Sequence, residues 1–325
     1  MRNYIIRRLL ILIPTVLLVT IIVFFVVSLV PGDIIDAMRS KALDVVLDRA
    51  AIEKALGLDA PVIIQYGRWL GVVPQADGNL SGLFQGDLGV SWWQSLPVVE
   101  LIAPRWPVTL ELGILALIVG QLIALPVGVF SALRQDTWGD YIGRSFAIGC
   151  IAVPGFWLGT MVIVFPSIWW GYMPPIMLIP FTEDPIGNLK MFIIPAIILG
   201  MAMGGMTMRM TRTMMLEVLR QDYIRTAWAK GLRERVVIIR HSLKNALIPV
   251  ITVVGFQVPV LIGGTVIIER IFCLPGMGRL LMDAIVGKDH PLINAVVLLY
   301  SVGLVLINLT VDLTYAFLDP RVHYK

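Results

Sequence analysis

The chain has 325 residues, 58% of them hydrophobic and 15% charged, with a mean hydropathy of +0.85 and a formal net charge of +4. Soluble domains carry about 25% charged residues, so this composition excludes an ordinary soluble protein and points to a chain that crosses a membrane several times. The two cysteines, Cys150 and Cys273, lie far apart and read as small core residues, and the histidines His241, His290 and His323 show no ligand spacing, so neither a disulfide framework nor a metal site can be built from them.

Arg2, Arg7 and Arg8 precede an uncharged run over residues 9–30. At 1.5 Å per residue that run reaches roughly 33 Å, enough to cross a bilayer. It ends in Ser-Leu-Val-Pro-Gly rather than at a small-residue cleavage site, which predicts a retained first span with a cytoplasmic N-terminus. Residues 31–107 form a polar insert in which acids outnumber bases, unlike a cytoplasmic loop. Within it the pattern predicts a helix over 44–56, capped by Asp44 and stopped by Gly57, and a second over 61–70. Trp69, Trp92, Trp93 and Trp106 read as anchors at headgroup level.

The second span is predicted over 108–133, with Pro126 inside it and Glu111 near its outer end, where an acid must face water or protein. A short inner loop carrying Arg134, Asp136, Asp140 and Arg144 leads to a third span over 141–166, interrupted at Pro154-Gly155. An outer loop over 167–190 precedes a fourth span over 191–208. The fifth runs over 248–268, residues 269–291 lie outside, and the sixth begins at Leu292. Bases concentrate in the segments this places inside, nine of them between Arg209 and Lys244, as the positive-inside rule requires.

That interval, 209–244, is more than a turn. Leu216, Leu219, Tyr223, Ala227 and Leu232 recur at near-helical steps, Asp222 is a candidate cap for a helix over 223–230, and Gly231 can end it in the left-handed region. A short amphipathic helix on the water side of a membrane either docks on a partner or lies on lipid headgroups, and periodicity alone leaves both open.

The run DYIRTAWAKGL at 222–232, followed by HSLKNALIP at 241–249, resembles the cytoplasmic "EAA" loop of ABC importer permeases of the dipeptide/oligopeptide/nickel branch. The family alanine falls on Ala227 and its glycine on Gly231, while Trp228 stands where the branch usually has Arg. Gly57-Leu58-Asp59-Ala60-Pro61 and Gly86-Asp87-Leu88-Gly89-Val90-Ser91 resemble the branch's extracytoplasmic region. Glu269, Phe272 and Pro275-Gly276-Met277-Gly278 match its pattern after the fifth span, and Asn308, Asp312, Tyr315 and Asp319-Pro320-Arg321 its C-terminal one.

The resemblance implies an all-α membrane protein with six transmembrane helices, an extracytoplasmic insert after the first, and a cytoplasmic coupling-helix loop between the fourth and fifth. It divides the chain into 1–30, the insert 31–107 and a permease core 108–325. It implies a coupling set of Tyr223, Ala227, Trp228, Lys230, Gly231 and Leu232 that sits in a cleft of an ATPase subunit. The expected partners are a second related permease, two ATPase subunits, an extracytoplasmic substrate-binding protein and the bilayer of a prokaryotic inner membrane, with both termini cytoplasmic. Peptides are the default solute, with nickel complexes, opines and oligosaccharides as variants; no nucleic acid or cofactor is expected. The sequence holds no G-x-x-x-x-G-K-[ST], H-E-x-x-H or G-x-S-x-G, so it carries no P-loop or hydrolase apparatus of its own. The competing reading is a secondary carrier or channel that works without ATPase partners.

Overall fold

The computed structural model describes residues 2–29, 34, 35, 38, 48–173, 175 and 177–318. In chain order the helices are α1 (Arg2–Leu29), α2 (Arg49–Ala55), α3 (Val62–Leu70), α4 (Val98–Ile102), α5 (Trp106–Leu133), α6 (Trp138–Ala152), α7 (Gly155–Trp170), α8 (Pro185–Leu219), α9 (Asp222–Ala229), α10 (Glu234–Val236), α11 (Lys244–Ile271), α12 (Met277–Gly287) and α13 (His290–Leu318). Among the described residues the only extended pairing is an isolated bridge between Val90 and Pro97. Five of these helical stretches are long and apolar enough to cross a membrane, and the bent pair α6–α7 makes a sixth if it counts as one span.

The chain divides into two compact units, one of residues 1–108 with 275–306, the other of 109–274 with 307–325. In the first, α1 meets α3 through aromatic rings: Phe24 lies edge-on to Tyr66 at 5.2 Å, and Thr20 shares a 3.0 Å hydrogen bond with the Tyr66 hydroxyl. The predicted cap Asp44 falls outside the described residues. The described helix α2 starts at Asp48, whose carboxylate accepts from the N–H groups of Ala50 and Ala51, and Gly57 follows it at φ +69°. Residues of α4, α12 and the start of α13 share one apolar core, with Val98, Leu280 and Val296 buried in it.

Asp289 ties the loop before α4 to that core. Its carboxylate accepts from the Ser91 hydroxyl at 2.5 Å and from the Trp92 N–H at 3.3 Å, while the Trp93 indole donates to the Gly287 carbonyl at 2.5 Å. Trp92 also lies against the His290 ring, and Trp69 stacks on Tyr66. Three of the four tryptophans expected as headgroup anchors therefore pack on the protein itself, and only Trp106 is exposed. Sequence reasoning saw their amphipathic character but not the partners, which are up to 194 residues away.

In the second unit α8 is the longest helix, 35 residues with its N-terminus capped by Asp184. The fourth span was expected to stop at residue 208; instead the helix continues to Leu219, because Arg209–Leu219 contains no helix breaker and is rich in good helix formers. At 1.5 Å per residue α8 reaches about 52 Å, well beyond a hydrocarbon core of about 30 Å. It approaches α5 closely at glycine: a Cβ on Gly120 would meet the Gly200 carbonyl at 2.8 Å.

The third span is not straight. The axes of α6 and α7 differ by 93° across Val153-Pro154. Pro154 lacks an N–H and drives the preceding residue out of helical geometry, and Val153 accordingly sits at ψ 121°. Glu269 also departs from expectation. It belongs to the last turn of α11 rather than to an outer loop, is fully buried, and accepts from the Thr109 hydroxyl at 2.7 Å. The chain leaves α11 through Cys273 at φ +55°, with the Leu274 N–H donating to the Glu269 carbonyl at 2.9 Å.

Candidate functional site

The interval 209–244 starts as the end of α8, breaks at Arg220 and Gln221, and re-forms as α9. The predicted cap is displaced by one residue. Gln221 holds the extended cap position without a side-chain bond, and Asp222 is the first helical residue. A carboxylate there still faces the positive end of the helix, and it pairs at 3.6 Å with Arg225 on the exposed surface. The other end closes as the sequence predicts. Gly231 has φ +74°, its N–H donates to the Trp228 carbonyl at 2.9 Å, and the Leu232 N–H donates to the Ala227 carbonyl at 3.4 Å. This bond pair with a left-handed glycine is a Schellman ending, and it aims the outgoing chain sharply.

The short helix has two faces. Ile224 and Ala227, 0% and 7% exposed, pack inward on Val237 and half-buried Val218. Tyr223, Trp228 and Leu232 are 43%, 44% and 38% exposed, and Lys230 is exposed beside them. The expectation that Tyr223 and Ala227 together offer a face to a partner is thus corrected. Ala227 is small because the loop's own Val237 lies under it, and Tyr223 stands at the rim, its hydroxyl accepting from Asn245 Nδ2 at 2.8 Å and donating to the His241 carbonyl at 3.4 Å. Ile224 was missed; its place three residues before Ala227 was the available signal. After Arg233 the chain enters α10 and then a wider π-turn over Val237–Leu243, in which the Ser242 hydroxyl donates to the Val237 carbonyl at 3.0 Å, before it joins α11. Such widened turns are frequent at functional sites.

A second arrangement fixes the base of this loop. Asp140, in the first turn of α6 and fully buried, accepts from Arg212 Nε at 2.7 Å and from its terminal nitrogen at 2.6 Å. The same carboxylate takes the Ser131 hydroxyl and the Asp136 N–H. All of its strong acceptor capacity is met, which is the condition for a buried charge to be tolerated. The pair joins α6 to the part of α8 that leads into α9. Asp140 had been read only as one charge of a short inner loop.

Asn308 and Asp312 lie one turn apart on α13; Asp319, Pro320 and Arg321 fall outside the described residues. Among the described residues no group of three or more His, Cys, Asp or Glu could hold a metal ion.

Comparison with known proteins gives a consistent result. The family profile described as binding-protein-dependent transport system inner membrane component matches residues 124–324, and its N-terminal companion matches residues 1–113. A putative peptide transport system permease protein of Brucella suis biovar 1 is 40% identical over 325 residues, covering 100% of both chains. The glutathione transport system permease protein GsiC of Salmonella paratyphi A is 37% identical over the same 325 residues, again covering 100% of both. Among solved structures, an inward-facing MetNI methionine ABC transporter superposes with TM-score 0.54 at 17% identity, over 67% of this chain and 96% of that one, a likeness of fold alone. The two profiles together span nearly the whole chain, and it belongs to the binding-protein-dependent transport inner-membrane component family, the permease subunits of ABC importers.

Proposed function

We propose that this permease subunit is driven through α9, with Tyr223, Trp228, Lys230 and Leu232 as the surface that enters a cleft of an ATPase subunit, and with Ala227 and Gly231 shaping that surface from behind and at its end. One observation carries the reading: a helix of only eight residues is capped, closed by a left-handed glycine and pinned to its own loop by Ile224, yet keeps Trp228 and Leu232 exposed. A loop lying loosely on headgroups needs none of that fastening. In this reading both termini are cytoplasmic, residues 31–107 face the outside, and 108–325 form the core that a second, related permease completes. Two ATPase subunits supply the energy, and an extracytoplasmic binding protein delivers the solute. The names of the relatives favour short peptides, glutathione among them, as that solute.

The test is co-purification of the ATPase subunits with Trp228→Ala and Leu232→Ala, singly and together. A buried aromatic anchor is commonly worth 2 kcal/mol or more, so the double variant is expected to weaken association at least about thirtyfold, while Arg225→Gln, on the solvated side, changes it little. Parent-level association and uptake by the double variant would return α9 to the status of a lipid-facing loop.

A further inference from the structure

The first compact unit holds a cavity of about 490 Å³ that coupling does not use. Its lining comes from α1, α3, the loop before α4 and the start of α13 and includes Arg68, Trp69, Asp77, Asp87, Trp92 and Asn294. Two lining atoms are orphans: the indole N–H of Trp69 and Oδ1 of Asn294 are buried with no hydrogen-bond partner, and Asn294 is only 4% exposed. Buried polar atoms in folded proteins nearly always have a partner, so a matched pair of orphans in one cavity wall calls for an occupant.

The chemistry of the wall specifies that occupant. Trp69 can only donate and Asn294 Oδ1 can only accept. A peptide unit carries one C=O and one N–H, the complement of that pair. Arg68 offers a guanidinium to a terminal carboxylate. Asp77 and Asp87, both exposed, keep acceptor capacity for a terminal ammonium beyond the turn bonds they make to the Asn79 and Gly89 N–H groups. The faces of Trp69 and Trp92 add apolar area, and the volume falls within the range of small-molecule sites. We propose that this cavity binds a short peptide with both termini free, within the extracytoplasmic unit of this chain itself. The proposal rests on the reading of the chain as a peptide importer that places this unit outside.

The test uses the assembled transporter reconstituted without its binding protein, with radiolabelled alanyl-alanine as the probe. Saturable binding is expected. Trp69→Phe, which keeps the ring and removes the N–H, and Asn294→Leu should each weaken it about tenfold, the value of one hydrogen bond. N-acetyl-alanyl-alanine amide should bind at least tenfold more weakly than the free dipeptide. Trp106→Phe, outside the cavity, should leave binding unchanged. No saturable binding, or binding that both Trp69→Phe and Asn294→Leu leave intact, overturns the site, and the cavity then holds water only. ATP-driven uptake of the same dipeptide, measured with the binding protein restored, separates the two ideas. Uptake without cavity binding removes the site and leaves the importer reading standing; cavity binding without uptake supports the site and removes peptides as the imported solute.

Discussion

Two residues show what a single side chain contributes to this unit. Asp140 is a buried carboxylate whose ligands are Arg212, Ser131 and a backbone N–H. Asp140→Leu would strand the Arg212 guanidinium, a loss of about 3–5 kcal/mol, whereas Asp140→Leu with Arg212→Met replaces the ion pair by apolar contact and should recover most of it. Thermal unfolding of the detergent-solubilised chain checks this; a double variant as unstable as the single one would show that the two charges do not act as a pair. Gly231, at φ +74°, has open space around its missing Cβ, so Gly231→Val costs backbone strain rather than a clash, about 1–3 kcal/mol. It should insert at normal levels and lose ATPase association. Gly231 was legible in the sequence because its role is local to one turn. Asp140 was not, because its partner is 72 residues away and only the fold brings them together.

At the scale of elements, periodicity located the helices and misplaced their ends. α3 and α5 fall within two residues of expectation, since Pro61 and the Arg-Trp-Pro entry at 105–107 are strong boundary signals. α8 overran its predicted end by 11 residues because hydropathy reports where a membrane stops, not where a helix does. The inward face of α9 was read one step out of phase for the same kind of reason: Tyr223 and Ala227 share a side, but only contact with Val237 decides which of them is covered. That contact makes a prediction. Ala227→Asp or Ile224→Asp should open the loop by burying a charge without a partner, and limited proteolysis of inside-out vesicles should then cut near Arg233–Arg235 at least several-fold faster than in the parent. Trp228→Ala should leave the cutting rate unchanged, because its side chain is not part of the loop's own core.

For the molecule as a whole, composition alone established the class, and the six apolar runs correspond to five long helices and one bent pair. The polar insert was recognisable as a unit, but its attachment to α12 and α13 was not, since Ser91 and Asp289 carry no pattern that links them before folding. Orientation is tested by labelling intact cells with a membrane-impermeant thiol reagent, in a background free of Cys150 and Cys273. Asp77→Cys should react and Arg233→Cys should not; the reverse would invert the topology and with it the placement of α9.

The unbroken run of α8 has a mechanical consequence. A helix whose hydrogen-bond ladder continues from the membrane interior to Leu219 behaves as a lever, and roughly 20 Å of it projects past a hydrocarbon core of about 30 Å. Displacement applied at Gln221 is therefore carried inward without a hinge, and a tilt small enough to preserve the glycine contact at Gly200 still moves the outer tip by several ångström. The stiffness of this arm, with Asp140 as its fulcrum on α6, sets how much of each stroke reaches the spans.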